Sequence, residues 1–480
     1  MKKFKKHIAA FLLGMVTIHA QEKPLNILWI NSDDLGREVA CYGEPEVKTP
    51  NIDQLAAEGR MYSNAYANAP VCSSSRSSQI TAMYPTAINA ENHRTMERKE
   101  LPNNIKPITD FFKQAGYFVS NGSGLTLMKT MGKKDYNFSP DIKYDGTHWR
   151  QRKPGQPFFA QVQIKYPHRA FVYDKEHPVD PDKVRLPKEY LDHPLLRADW
   201  AKYLESVQHC DKVVGQVLAQ LEEDGLAENT VVFFFGDHGR PHLRDKQFLY
   251  EGGLRIPLIV RWPNQLKAGK KDKRLVSLVD VAATTLAISN LKAPYALYGK
   301  VFLGKQCEKR DYVFGFRQRT GDAVENLRSI TDGRYKLIWN RTYDRSWMQV
   351  SSYKKLQYPA FALYHYLHSK GELPAPYNQF MAESKPEFEL FDLKKDPSEF
   401  HNLVGEKKYA KIQKKLLITL KKELAEAEKN NVPETETARQ KGIDGSQKYY
   451  SNAVSKMHKG LTPTASYKTL VEAWEKELLH

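Results

Sequence analysis

Cys72-Ser73-Ser74-Ser75-Arg76, continuing through Ser77-Ser78-Gln79-Ile80-Thr81-Ala82, sets a thiol and a permanent cation four residues apart where a loop feeds a helix. Such a helix start exposes N–H groups and the positive end of the macrodipole, both of which favour negative charge. Arg76 adds a fixed positive charge one turn further on. The chemistry this pattern suits is capture of an anion beside a nucleophile. A Ser-rich helix start with no function has the same composition, so the segment needs partners elsewhere in the chain.

Candidate partners follow two apolar runs. Leu25 to Ile30 leads into Asn31-Ser32-Asp33-Asp34, and Thr230 to Phe235 into Gly236-Asp237-His238-Gly239. Hard oxygen ligands of this kind suit calcium or magnesium, and His238 also admits zinc or manganese. Each pair taken alone reads as a turn or a helix cap.

Both runs are apolar without alternation, as strands buried on two faces are. A third, Phe158 to Ile164, ends near His168. Polar clusters just past buried strands are where open α/β sheets place their sites. Helices are predicted between them: Asn51 to Glu58, with a capped start at Thr49-Pro50 and a stop at Gly59; Leu196 to Glu223; and Leu278 to Ile288. The alternation predicts an α/β sandwich around a central mixed sheet. Beyond about residue 310 short strands are expected at Tyr335 to Trp339 and Glu389 to Phe391, with a charged amphipathic helix from Tyr409 to Asn430. Residues 431–480 read as polar, with weak periodicity before a final short helix. The domain reading is a leader at 1–20, a catalytic domain at 21–310 and a smaller α+β subdomain with a helical tail at 311–480.

The leader reading rests on Met1-Lys2-Lys3-Phe4-Lys5-Lys6, a short apolar run from Ile8 to Ile18, and His19-Ala20. That is the build of a secretory signal peptide, and the run is too short to span a bilayer. A soluble protein exported to the periplasm or the medium is expected, with no integral membrane segment. Four cysteines, Cys41, Cys72, Cys210 and Cys307, have spacings that suggest neither a zinc site nor a disulfide framework. The formal net charge of +17 suits a polyanionic partner. No nucleic-acid-binding motif accompanies it, and a sulfated polymer fits as well. Much of the charge lies in the Lys-rich final third, where a solvated helical face accounts for it.

The Cys72 segment resembles the signature C-x-P/A-S-R-x-x-x-L-T-G of the formylglycine-dependent sulfatases. Further likeness runs from about Leu25 to Val404. Thr49-Pro50-Asn51-Ile52-Asp53 is similar to the family's T-P-N-I/L-D helix start. Asp245-Lys246-Gln247-Phe248-Leu249-Tyr250-Glu251-Gly252-Gly253 is similar to its G-K-x-x-x-Y-E-G-G, and Glu389-Leu390-Phe391-Asp392-Leu393 with Asp396-Pro397-Ser398-Glu399 to its C-terminal E-L-Y-D-L-x-x-D-P-x-E. Gly236-Asp237-His238-Gly239-Arg240-Pro241-His242 looks most like the heparan N-sulfatase-like branch.

The resemblance implies a sulfate ester hydrolase acting on a carbohydrate, of the ulvan or glycosaminoglycan type. It implies that Cys72 is oxidised to formylglycine by a maturing enzyme. One calcium ion would lie among Asp33, Asp34, residue 72, Asp237 and His238. Asp237 would also take the proton of the nucleophile, and Arg76 would hold residue 72 and the sulfate. Lys133 and Lys246 would bind sulfate oxygens, with Lys134 and Lys129 as alternatives to Lys133. His168 would protonate the leaving group, and elimination of sulfate would restore the aldehyde.

Two positions depart from the family pattern. Ser74 stands where Pro or Ala is usual. Lys133-Lys134-Asp135 replaces a common K-x-H, which leaves His93 or His242 to stand in for the missing imidazole. His93, Arg94, Arg317 and Arg319 are the candidate substrate contacts, with Asp322 beside them. Two rival readings remain: a phosphodiesterase or phosphonate hydrolase on the same fold, and a glycan-binding protein whose Cys72 stays a thiol.

Overall fold

The computed structural model describes residues 23–479. The leader expected at 1–20 lies outside the described residues. The strands are β1 (Asn26–Ser32), β2 (Arg60–Tyr66), β3 (Lys99–Glu100), β4 (Phe118–Ser123), β5 (Phe138–Ser139), β6 (Phe158–Ile164), β7 (Thr230–Gly236), β8 (Arg255–Arg261), β9 (Lys270–Ser277), β10 (Val313–Arg317), β11 (Leu327–Thr331), β12 (Tyr335–Asn340) and β13 (Phe388–Asp392). The helices are α1 (Pro50–Glu58), α2 (Cys72–Thr81), α3 (Ile108–Gln114), α4 (Pro194–Glu223), α5 (Glu251–Leu254), α6 (Leu278–Ile288), α7 (Ser352–Gln357), α8 (Pro359–Ser369), α9 (Ala375–Asn378), α10 (Ala410–Ala427), α11 (Glu436–Met457) and α12 (Tyr467–Leu478).

Seven strands form the central sheet in the order β4-β6-β1-β7-β8-β2-β9. Strands β4, β6, β1 and β7 run parallel, and β8 pairs antiparallel with both β7 and β2. This is the α/β sandwich with a mixed sheet that the strand–helix alternation predicts. Every residue of β1, β6 and β7 is buried, which is why the apolar runs of β1 and β7 lack alternation, while β6 carries Gln161 and Gln163 between its apolar residues. Leu28, Ile30 and Phe234 face a layer containing Ile52 of α1 and Leu204 and Val207 of α4. Ile27, Trp29 and Phe233 face the opposite layer, with Phe112 of α3 and Val281 and Leu286 of α6.

The start of α1 differs from the sequence expectation. Thr49 precedes Pro50, but its side chain makes no capping bond. Asp211 of α4 accepts the Ile52 N–H instead, at 2.8 Å. A distant carboxylate satisfies the orphan donor, and the helix start is thereby tied to its neighbour.

The C-terminal subdomain is a four-stranded antiparallel sheet, β10-β11-β12-β13. Leu416, Leu420 and Leu424 of α10 cover it, against Ile330, Leu337 and Leu390. Lys336 ties it to the main domain, between Glu251 at 2.7 Å and Glu399 at 3.0 Å. The stretch after residue 431 is more ordered than its composition suggests. It holds the 22-residue helix α11, whose Tyr450 and Val454 pack on Leu356. Leu470, Val471 and Trp474 of α12 then join the core layer beside α4 and α8.

Candidate active site

The register of β1 against β7 builds the site. Ser32 pairs with Gly236, so the next residues, Asp33 and Asp237, leave the sheet side by side. The Asp237 N–H donates to the Ser32 carbonyl at 3.0 Å. Asp34 then turns back with a left-handed φ of 63°, a conformation that Asp tolerates better than most residues. Helix α2 enters against these ends. Cys72 is its first residue, and the whole helix is buried.

The serines of α2 are its fastenings. Ser75 donates to the Asp237 carbonyl, and Ser77 to the Ser73 carbonyl at 2.7 Å. Ser74, the departure from the family pattern, donates to the Glu91 carbonyl at 3.0 Å. Ser73 Oγ accepts the Arg94 N–H at 2.9 Å and bonds His93 Nδ1 at 2.9 Å.

Each carboxylate of the cluster has its own cation. Lys133 Nζ donates to Asp33 at 2.8 and 3.0 Å. Lys246 Nζ donates to both oxygens of Asp34 at 2.7 Å and lies 3.6 Å from Cys72 Sγ. Arg76 Nε donates to Asp237 at 3.0 Å, and its Nη2 lies 3.3 Å from Asp33. Burial opposes charge on Asp34, yet Lys246, His168 and His238 bring its carboxyl well below the usual range. Asp33 behaves alike through Lys133 and Arg76. Asp237 is raised, by burial first and then by Asp33, against the pull of His238 and Arg76. Burial opposes protonation of His238, but Asp237, Asp34 and Cys72 raise it to about 10.

The donor set suits a cation. One ligand atom from each of Asp33, Asp34, Cys72 and His238 falls within a 4.8 Å cluster, and all four residues are buried. His238 Nδ1 faces the Gly239 carbonyl at 2.9 Å, so it carries the ring hydrogen. In the neutral ring that leaves Nε2 as a lone pair, 2.9 Å from Asp34 Oδ1 and 3.3 Å from Cys72 Sγ. Two buried acceptors at that distance need a proton or a metal ion between them. Asp237 stands apart from the set: its Oδ1 accepts the N–H groups of Asp34 and His238 and lies 3.8 Å from His238 Nε2.

A cavity of about 390 Å³ opens above Cys72. His93, Arg94, His168, Lys246 and Arg319 line it, among the residues singled out from sequence. His168 Nδ1 donates to the Arg169 carbonyl, leaving Nε2 on the cavity side, 3.9 Å from Asp34 Oδ2. Arg94 pairs with Asp135 at 3.1 Å, so the residue in place of the usual histidine serves as an anchor for arginine.

Other candidates lie elsewhere. Arg317 is not in the lining; it is buried with its guanidinium 5.1 Å over the Phe248 ring. Arg319 reaches the lining but forms a two-pronged bond to Glu434, at 2.7 and 2.8 Å. Asp322 accepts from Ser352 at the head of α7. His242 is packed 4.7 Å from the Trp200 ring and 3.5 Å from Asp199, away from the cavity, whereas His93 is in its wall.

Sequence reasoning missed Gln163, which accepts from Arg76, as well as Thr320, Tyr353 and the α11 residues Gly442, Gly445, Ser446 and Tyr449. Two glycines inside α11 masked its helical period. The Thr435 cap and the Tyr450–Val454–Met457 stripe were the signals available.

Comparisons with known proteins agree with this geometry. The family model described as Sulfatase matches residues 25–291, and the one described as N-sulphoglucosamine sulphohydrolase, C-terminal, matches residues 236–359. The chain is similar to an ulvan-active sulfatase of Formosa agariphila, with 31% identity over 474 residues that cover 86% of this chain and 77% of that protein. It is 26% identical to the N-acetylgalactosamine-6-sulfatase of Rattus norvegicus, covering 70% of this chain and 75% of that one. Its fold is shared with a solved protein in complex with its substrate D-glucosamine-2-N,6-O-disulfate. That match has a TM-score of 0.62 at 18% identity and covers 86% of this chain and all of the other.

Proposed function

The chain belongs to the sulfatase family and is a sulfuric ester hydrolase, and from that premise we propose that it removes sulfate from a sulfated polysaccharide fragment of the ulvan or glycosaminoglycan type. One observation carries the reading of the site. Three carboxylate–cation pairs converge on Cys72 at the floor of a cavity large enough for a sugar.

Asp33, Asp34, His238 and residue 72 would hold one calcium ion, with Asp237 at its edge. The ion would polarise a sulfate oxygen, and oxidation of Cys72 to a hydrated aldehyde would supply a nucleophilic hydroxyl. The remaining chemistry belongs to the chain's own side chains. Asp237 is fixed by two backbone N–H groups and Arg76, and it takes the proton from residue 72. Lys133 and Lys246 bind sulfate oxygens, where fixed cations stabilise the charge that builds up in the transition state. Arg76 holds Asp237 in line and adds positive charge behind the sulfate. His168 presents Nε2 to the cavity and protonates the departing sugar oxygen.

The matured enzyme requires a formylglycine-generating partner and works in the periplasm or outside the cell. No helix among the described residues is long and apolar enough to cross a membrane. The working units are a catalytic domain at 21–310 and a C-terminal unit at 311–480. The test is sulfate release from defined sulfated oligosaccharides, paired with the peptide mass at position 72. Sulfate release at full rate with an intact thiol rejects the formylglycine mechanism, and no release from any sulfate ester rejects the site reading.

A further inference from the structure

Helix α11 borders the cavity with Gly442, Gly445, Ser446 and Tyr449. Glycine inside a helix weakens it relative to alanine, so each glycine there needs a reason. Gly442 has a packing reason. A Cβ at that position would stand 2.6 Å from the Arg319 guanidinium, which passes by on its way to Glu434. Gly445 has none, since a Cβ there would meet nothing within 4 Å. The space that it leaves is cavity.

A second observation points to a ligand in that space. Thr320 is 5% exposed and lines the same cavity, and its Oγ1 has no hydrogen-bond partner among the described residues. The Tyr353 hydroxyl, also in the lining, is buried and unpartnered in the same way. Buried hydroxyls without partners are costly unless a bound group satisfies them. The Tyr449 ring is 46% exposed, and its hydroxyl accepts from Gln357 at 3.3 Å, which orients it. An oriented, half-exposed aromatic beside free hydroxyls is the mixed surface that a sugar ring presents in reverse.

We propose that this face of α11, with Thr320 and Tyr353, is the subsite for the sugar ring that bears the sulfate. The C–H face of the ring packs on Tyr449, its hydroxyls bond Thr320 and Tyr353, and Gly445 provides the room. The inference rests on the sulfate ester reading of the Cys72 floor. Both matched family segments end before α11, at residues 291 and 359.

The test uses the full-length, matured enzyme, a sulfated disaccharide as substrate, and inorganic sulfate as inhibitor. Gly445→Ala restores helix propensity and should raise Tm by about 1 °C. Gly445→Leu fills the space and should raise KM for the disaccharide by about tenfold or more. Its inhibition by inorganic sulfate should stay within about twofold of wild type, because the sulfate floor is untouched. Thr320→Val keeps the shape, removes one hydroxyl, and should raise KM by about fivefold to tenfold without touching the helix. Wild-type KM in both Gly445→Leu and Thr320→Val overturns the proposal. Wild-type enzyme that neither releases sulfate nor is inhibited by it overturns the reading of the floor instead.

Discussion

Replacing His168 by alanine separates proton donation from sulfate binding. The Nδ1 hydrogen is committed to the Arg169 carbonyl, so Nε2 alone faces the cavity. It sits beside Asp34, where Lys246 and Cys72 also meet. The other imidazole in the wall, His93, is a poor substitute. Burial, reinforced by Arg94, holds its pKa well below the ordinary histidine range, whereas at His168 Asp34 and Asp33 oppose the lowering that burial brings. A sugar alkoxide is a poor leaving group and needs a proton in the transition state, whereas nitrophenolate departs without one. A positioned general acid contributes about 10²- to 10⁴-fold, or about 2.7–5.5 kcal/mol. His168→Ala should therefore cut kcat on a sugar sulfate by that factor. On 4-nitrophenyl sulfate it should lose only about threefold or less, the part that reflects positioning. The assay is kcat and KM for both substrates in wild type and variant, measured at one pH. Equal losses on the two substrates would refute His168 as the acid and leave it a structural group beside Asp34.

Cys72→Ala should abolish sulfate release while the circular dichroism spectrum and melting curve persist; an active alanine variant ends the mechanism. Chelation should lower Tm and calcium should restore it, by about 2.7 kcal/mol at a hundredfold excess over Kd; a melting curve indifferent to both argues against a metal ion at Asp33, Asp34 and His238. Glu434→Gln removes the partner of a buried guanidinium, an interaction whose loss costs about 3–5 kcal/mol. Limited proteolysis should then cut first around α11, and an unchanged digestion pattern would show that Arg319 does not pin that helix. Glu399 is pushed up from its ordinary 4.5 to about 7, by burial first and by Glu251 beside it. A carboxyl that holds its proton more tightly when folded makes stability fall as pH rises through that window. Glu399→Gln should flatten Tm between about pH 4.5 and pH 7, and a slope equal to wild type would exclude this group as its source.

The amino-acid order alone determined the parts that depend on local chemistry. Short apolar runs without alternation read as strands buried on both faces, and β1 and β7 are that. Asp33, Asp34, Asp237 and His238 at their ends, and Cys72 opening a helix, were legible because strand ends and helix starts leave marks in neighbouring residues. What the order did not reveal is contact between distant segments. The Ser32–Gly236 register, which sets Asp33-Asp34 beside Asp237-His238, links residues 204 positions apart. Asp211 capping α1, Asp135 anchoring Arg94 and Glu434 claiming Arg319 are likewise long-range pairings of ordinary surface-type residues. Helix α11 was hidden because its glycines obey the shape of the cavity and not helix propensity. A charged side chain looks the same in sequence whether it will meet substrate or a carboxylate across the fold. Burial and pairing decide between the two, and both exist only once the chain has closed on itself.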